Sequence, residues 1–344
     1  MPEGHSVHRI ARQFARNLVG AVVHASSPQG RFEAGAAEID GRTLRSATAV
    51  GKQMFLDFGD GVFVRVHLGM YGAWDFAGDI ALDATIASAN GRMGHTAGRG
   101  TDDRVLDRDG ENSLASIGAP RRSRLRMAES EQTSGADSEW PPEPVGQVRL
   151  RLLTESLCAD LRGPTACEVL DPAGVDAVLR RLGPDPLGDD AGTGEERFLA
   201  AVLKRRVAIG LLLMDQSVVS GIGNVYRAEL LFRAGLNPHQ PGATLAEEAV
   251  RALWRDWDHL LRIGVERGQM LTIDGLEGEE LRAALANRAD RHWVYKREGL
   301  PCRRCGTNIV LEEMATRKLY WCPSCQALPG AQRRARTARK EPRS

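Results

Sequence analysis

Four cysteines, Cys302-x2-Cys305-x16-Cys322-x2-Cys325, constrain this chain more than any other feature. Two CxxC pairs separated by a loop of that length supply the four thiolates of a tetrahedral Zn²⁺. The competing reading, two disulfides or reduced core cysteines, sits poorly with six cysteines in 344 residues and no secretory segment. All four ligands come from protein, so one zinc ion is expected to build a small domain and to take no part in chemistry.

The length permits two or more domains with cores of their own, and no apolar run approaches the roughly 18 residues of a membrane span. Charge is unevenly placed. Arg291 to Ser344 holds 13 Lys/Arg against 4 Asp/Glu, whereas the rest holds 33 against 41, so a net charge of +1 conceals +9 beside −8. A positive C-terminal part on an acidic chain suits a polyanionic partner, although Arg333, Arg334, Arg336, Arg339, Lys340 and Arg343 also read as a solvated basic tail. Only five basic residues are lysine (Lys52, Lys204, Lys296, Lys318 and Lys340), which draws attention to each, since lysine can exchange a proton and arginine cannot.

Val7, Ile10, Ala11, Phe14 and Leu18 recur at helical spacing, so an amphipathic helix opens the chain. Short β-type runs follow. Gln53–Phe58 and Val62–His67 flank a Gly-Asp-Gly turn, and Val148–Leu153 with Ser156–Leu161 read as a later hairpin. Residues 1–171 are expected to form an N-terminal β-sandwich with a leading helix, interrupted at 83–145 by a disordered insertion that carries the basic run Arg121–Arg126. Leu182-Gly183-Pro184-Asp185-Pro186-Leu187 suggests a linker over 172–196. Helical periodicity returns at Arg197–Met214, Val225–Ala234, Leu245–Arg267 and Leu276–Ala286, giving a helical domain over 197–290. The zinc module spans 291–326, and a basic disordered tail 327–344. The expected fold class is thus multidomain α+β, with Cys158, Cys167, Trp254 and Trp257 as core residues.

The chain begins Met1-Pro2-Glu3-Gly4. Removal of Met1 ahead of a small residue would leave Pro2 with a free secondary amine, whose pKa lies within reach of neutrality, roughly 8 for a terminal amine. Attack by that amine on an electrophilic sugar carbon gives an iminium ion, which acidifies the adjacent carbon and opens a route to elimination. Glu3 is the neighbour placed to move protons. Many chains begin this way with a frayed end, so the motif alone says little. Two further elements strengthen it. Gly221-Ile222-Gly223-Asn224 opens a helix, where the Gly223 backbone N–H and the Asn224 amide suit a phosphate. A basic zinc hairpin carries Arg317.

Taken together, the chain resembles the formamidopyrimidine-DNA glycosylase/endonuclease VIII family of bifunctional DNA glycosylase/AP lyases. The motifs that carry the resemblance are Pro2-Glu3-Gly4, Gly51-Lys52, His67–Gly72, Leu182–Leu187, Met214–Tyr226, Val294–Cys302 and Arg317–Cys322, in that order. They cover Met1 to about Trp74 and Val148 to Gln326. The resemblance implies a helix–two-turn–helix domain, a β-hairpin zinc finger and damaged DNA as partner, duplex or single-stranded. It casts Pro2 as the Schiff-base nucleophile, Glu3 as the acid/base and Lys52 as the lysine that contacts phosphate and donates a proton. Arg317 becomes the hairpin arginine on the lesion phosphate and Asn224 a phosphate-binding amide. Met70 and Tyr71 match the loop that fills the hole left by a flipped base; Met70 also reads as a core residue.

Tyr71, Arg227, Glu229 and the Tyr320-Trp321-Cys322 ending favour the endonuclease VIII branch, and with it oxidised pyrimidines and β,δ-elimination. Two departures stand out. His5-Ser6 replaces Pro-Glu, and Gly69 replaces the glutamine of the void-filling loop. The expectation is a monomeric, cytoplasmic bacterial repair enzyme, nucleoid-associated when bound to DNA and with no membrane association. A non-catalytic binder of abasic or distorted DNA and the oxidised-purine branch remain as alternatives.

Overall fold

The structure, a computed structural model, describes residues 2–81, 116–119, 140–188 and 192–328. The chain divides into two compact units, Met1–Arg181 with Ile263–Gln269, and Leu182–Arg262 with Met270–Ser344.

In the first unit, α1 (Gly4–Asn17), β1 (His24–Ser26), α2 (Glu33–Ile39), β2 (Ser46–Val50), β3 (Gln53–Asp57), β4 (Phe63–His67) and β5 (Ala73–Gly78) come first. They are followed by β6 (Ser116–Gly118), β7 (Val148–Leu153), β8 (Leu157–Arg162), β9 (Ala166–Leu170) and α3 (Pro172–Leu179). The strands form two sheets, β1-β7-β8-β5-β6 and β2-β3-β4-β9. Every pairing is antiparallel. Side chains on a strand alternate between faces; in β4, Val64 and Val66 are buried while Phe63, Arg65 and His67 are half-buried. One apolar cluster joins Met54, Leu56, Val64 and Val66 of one sheet to Trp74, Leu150, Leu152 and Leu161 of the other. The helical stripe Val7, Ile10, Phe14 and Leu18 enters the same cluster, with Phe14 edge-on to Trp74 at 4.7 Å between ring centres.

Several boundaries differ from expectation. The proposed insertion at 83–145 contains structure, because Ser116–Gly118 extends the first sheet beside β5 and the Arg151 and Arg162 guanidinium groups pin the carbonyls of Pro142 and Val145 at 2.7 Å. The run Arg121–Arg126 and the tail from residue 329 lie outside the described residues. The expected linker 172–196 contains helix α3, which starts on Pro172 with the Asp171 carboxylate accepting from Gly174 N–H at 2.7 Å. No α3 residue is buried, so the apolar periodicity that announces a packed helix is missing there.

The second unit holds α4 (Thr193–Leu203), α5 (Ile209–Leu212), α6 (Asn224–Arg233), most of α7 (Glu247–Arg267), α8 (Gly278–Ala286) and the hairpin β10 (Val310–Met314)–β11 (Arg317–Trp321). The single helical stretch expected over 197–214 is split into α4 and α5 by residues 204–208. Trp254 and Trp257 are buried as expected, and Trp257 meets Tyr226 edge-on at 4.7 Å. Cys158 is buried, and Cys167 packs half-buried against the sandwich core. Among the described residues no helix is long and apolar enough to cross a membrane.

Candidate active site and nucleic-acid interface

A chain end normally frays. From the second residue on this chain is packed: Pro2 is buried, and Glu3 has no exposed surface at the N-cap of α1, in extended conformation. Burial continues along the polar side of the helix through His5, Ser6, His8, Arg9 and Gln13, so α1 is enclosed on more than its apolar stripe. His5 Nε2 and Ser6 Oγ lie 3.2 Å apart, filling with a hydrogen-bonding pair the place where the family resemblance expected a carboxylate at residue 6. Burial lowers the Arg9 guanidinium to about 10. Gly268, at φ +71, makes room for it, since a Cβ there would come within 2.7 Å of the Arg9 side chain.

Helix α1 packs against β2 and β3. The register of those strands fixes the next residues: Val50 pairs with Gln53 around the Gly51-Lys52 turn, and Gln53 pairs with His67. Lys52 and His67 therefore share one end of the sheet, with His67 Nδ1 2.9 Å from the Lys52 carbonyl oxygen. Burial lowers the His67 pKa; the bond to the Lys52 carbonyl raises it, and the charges of Lys52 and Arg65 lower it further. His67 faces Lys52 as a neutral imidazole near pH 7. The chain continues into the β4–β5 loop, where Met70 and Tyr71 are 56% and 40% exposed. Met70 is thus no core residue.

In the second unit, residues 182–187 act as a strap rather than a plain linker. Gly183 N–H donates to Gln216 O at 2.7 Å, Ser220 N–H to Pro184 O at 2.9 Å and Ser220 Oγ to Gly183 O at 2.7 Å. The Gln216 side chain closes the turn from inside, donating to Ile222 O and accepting from Gly221 N–H, both at 3.1 Å. That turn delivers Gly223 to the N-cap and Asn224 to the first turn of α6. Asn224 Nδ2 donates to Lys318 O at 2.6 Å, and buried Arg227 donates to the same carbonyl at 2.9 Å and to Asn224 Oδ1 at 2.5 Å. Helix α6 is tied in this way to the hairpin, one residue from exposed Arg317. The hairpin turns through Ala315 and Thr316, both at positive φ, and Arg317 is the first residue beyond them.

The four cysteine sulfurs lie within 4.8 Å of one another, with Cys302–Cys325 at 3.9 Å and Cys305–Cys322 at 3.5 Å. A tetrahedral metal with sulfur bonds of about 2.3 Å holds its sulfurs about 3.8 Å apart, so the cluster fits zinc. Backbone N–H groups of Arg304 and Cys325 point at the Cys302 and Cys322 sulfurs at 3.4 and 3.5 Å.

Arg227 and Glu229 carried no site role on sequence, although both lie on one short helix with Asn224. The signal available was a pair of charged residues inside an otherwise apolar helix. Glu229 is fully buried and accepts from Thr272 Oγ1 at 2.5 Å and from the N–H groups of Trp293, Val294 and Tyr295 at 2.8–2.9 Å. Burial pushes its carboxyl up, while these four donors pull it back.

The chain matches the formamidopyrimidine-DNA glycosylase N-terminal domain over residues 1–162, the formamidopyrimidine-DNA glycosylase H2TH domain over 182–274 and the zinc finger found in FPG and IleRS over 299–328. It is 37% identical over 326 residues to Endonuclease 8 1 of Mycobacterium tuberculosis (strain H37Rv), covering 95% of this chain and all of that protein. The chain belongs to the formamidopyrimidine-DNA glycosylase/endonuclease VIII family. It is a DNA glycosylase with AP lyase activity. A second family member, the formamidopyrimidine-DNA glycosylase of Heliobacterium modesticaldum, is 38% identical over 146 residues, 42% of this chain and 51% of its own length. Among solved structures, MutM (Fpg) from Thermus thermophilus superposes with a TM-score of 0.63 at 24% identity, over 94% of this chain and 98% of that one. Lactococcus lactis Fpg in complex with abasic-site DNA gives 0.64 at 18% identity, over 94% and 99%. These two likenesses establish the family fold, and the zinc-finger match agrees with the cysteine cluster.

Proposed function

We propose that the chain is a monomeric bacterial base-excision enzyme of the endonuclease VIII type, which removes oxidised bases, pyrimidines above all, and cleaves the strand by β,δ-elimination. The observation that carries the reading is the burial of Pro2 and Glu3: a Pro2-Glu3 pair that merely happened to be there would be exposed, whereas this one begins a packed helix beside the Lys52 sheet. The breadth of the match to Endonuclease 8 1, against half-length matches to formamidopyrimidine-DNA glycosylases, supports the branch.

With Met1 removed, the Pro2 nitrogen attacks C1′ of the damaged nucleotide as the glycosidic bond breaks and the base leaves with its electron pair. Glu3 shuttles the proton that opens the sugar ring. Loss of the ring-oxygen bond gives an iminium on C1′, C2′ then loses a proton, and the 3′ phosphate departs in β-elimination. A second elimination releases the 5′ phosphate, and water frees Pro2. Lys52 and Arg317 hold phosphates and stabilise the departing charge, with Asn224 and the Gly223 N–H as further phosphate contacts. Met70 and Tyr71 enter the stack in place of the extruded base. One zinc ion, held by Cys302, Cys305, Cys322 and Cys325, supplies fold to the hairpin.

Borohydride trapping of untagged protein on three oligonucleotides tests this: one abasic, one with an oxidised pyrimidine, one with 8-oxoguanine. A covalent adduct on the abasic strand, lost in Pro2→Gly, is expected, with faster trapping on the pyrimidine lesion than on 8-oxoguanine. Tight binding with no adduct on any strand would replace the enzyme by a damage binder.

A further inference from the structure

The β4–β5 loop, residues 68–72, is closed by a set of contacts, with Leu68 buried and Met70 and Tyr71 as its exposed side chains. Gly72 N–H donates to Leu68 O at 2.9 Å, and Ala119 N–H to Gly72 O at 2.9 Å. Thr165, in the β8–β9 turn, donates its backbone N–H to His67 O at 2.8 Å. Gly163 of the same turn lies under Tyr71, so that a Cβ there would stand 3.1 Å from the Tyr71 carbonyl oxygen. Gly69 sits at φ +64, and a Cβ built on it would come 1.8 Å from Thr165 Oγ1 and 3.0 Å from Thr165 Cβ. Rotating the threonine about χ1 does not remove its Cβ, and one of its rotamers puts the methyl group where the hydroxyl was. Arg162, which ends β8 just before that turn, is bound to Asp75 and to the Val145 carbonyl.

We infer that Thr165 is a positioning residue which occupies the side-chain place of residue 69, keeps that residue glycine, and so limits the inserting device to Met70 and Tyr71. This rests on the proposed role of those two side chains in filling the hole in the duplex. The glutamine expected at residue 69 is absent for a steric reason: the turn that would carry it is braced from below. Insertion then depends on an apolar and an aromatic side chain held on a pre-set turn, and no group from residue 69 reaches the base left without a partner. A braced loop loses little conformational freedom when it enters DNA, which favours tight insertion.

The test uses the full-length protein with Gly69→Asn, Thr165→Gly, the double variant, and Gly69→Asn with Thr165→Val. Asparagine tolerates positive φ better than other side chains, so Gly69→Asn isolates the steric conflict. Two readouts are taken. One is the ratio of excision from duplex to strand cleavage at a single-stranded abasic site, where there is no hole to fill. The other is the fluorescence of 2-aminopurine opposite a tetrahydrofuran abasic analogue, which reports insertion without catalysis. Gly69→Asn is expected to lower the duplex-to-single-strand ratio about tenfold and to halve the 2-aminopurine response. Adding Thr165→Gly should recover most of both, although Thr165→Gly alone gives no gain; adding Thr165→Val should recover neither. Such coupling of opposite sign marks two groups competing for one space. The inference is overturned if Gly69→Asn matches wild type, or if the double variant is no better than the product of the single effects. Wild-type protein that traps no abasic strand would sink the proposed function instead, while the fluorescence arm would still decide the role of Thr165.

Discussion

Replacing Glu229 with glutamine changes one atom in a fully buried carboxylate, and the structure sets the scale of the effect. Glu229 Oε2 accepts from Thr272 Oγ1 and Trp293 N–H, and Oε1 accepts from Val294 N–H and Tyr295 N–H. Glutamine keeps one acceptor oxygen and turns an NH2 toward the other pair of donors. Two hydrogen bonds to a charged group are lost, at roughly 1.5–3 kcal/mol each, and buried N–H groups are left facing a donor. Against this, a neutral amide avoids the burial cost that pushes the Glu229 carboxyl up. The balance is a loss of about 3 kcal/mol, which for a unit of this size lowers the melting temperature by roughly 6–12 °C. The three N–H groups lie a few residues before Cys302, and the carboxylate sits on the helix that begins with Asn224, so the variant should also loosen the hairpin against α6. Differential scanning calorimetry measures the first effect, and the rate of zinc capture by a chelator the second. Thr272→Val, which removes one donor, should lose about 1–2 kcal/mol by the same reasoning. A Glu229→Gln protein melting within about 1 °C of wild type would refute the idea that this carboxylate clamps the segment.

Three further outcomes follow from the site. Because burial holds His67 below its ordinary pKa, the folded state binds fewer protons than the unfolded chain just below about pH 6.5, so stability should fall as pH drops from there toward the folded pKa. Chemical denaturation in a pH series should show that slope, and it should flatten in His67→Gln. Arg317→Ala should weaken DNA binding across sequences and reduce the slope of log affinity against log salt by about one, as for any phosphate contact; an unchanged slope in fluorescence anisotropy titrations would remove Arg317 from the interface. Native mass spectrometry should find one zinc per chain and none in Cys302→Ser, whose hairpin should lose its structure because metal binding and folding are one process in so small a module. A Cys302→Ser protein that keeps wild-type DNA affinity would detach the hairpin from binding.

Much of this was readable in the amino-acid order because it is local. The CxxC spacing reports a metal site, since both ligands of each pair come from one short turn. The stripe Val7, Ile10, Phe14 and Leu18 reports a packed helix, and the alternation in residues 62–67 a strand with one buried face. The motif positions of Pro2, Lys52, Asn224 and Arg317 are equally properties of the chain alone.

What only the tertiary structure decided depends on partners far apart in sequence. Helix α3 and strand β6 left no periodic apolar trace, one because no residue of it is buried and the other because it is three residues long at a sheet edge. Glycine at 69 reads as a substitution in a loop until Thr165, nearly a hundred positions away, is found in the space a side chain would need. That the Asn224 amide also holds the Lys318 carbonyl, and so ties its helix to the hairpin, is visible only in the fold. Glu229 stands in the sequence only as a marker of the branch, and the fold alone brings three backbone N–H groups from some sixty residues later onto it. Sequence determines which groups are available, because chemistry belongs to residue types; which of them meet is set by packing, because burial forces each polar group to find a partner wherever the fold has brought one.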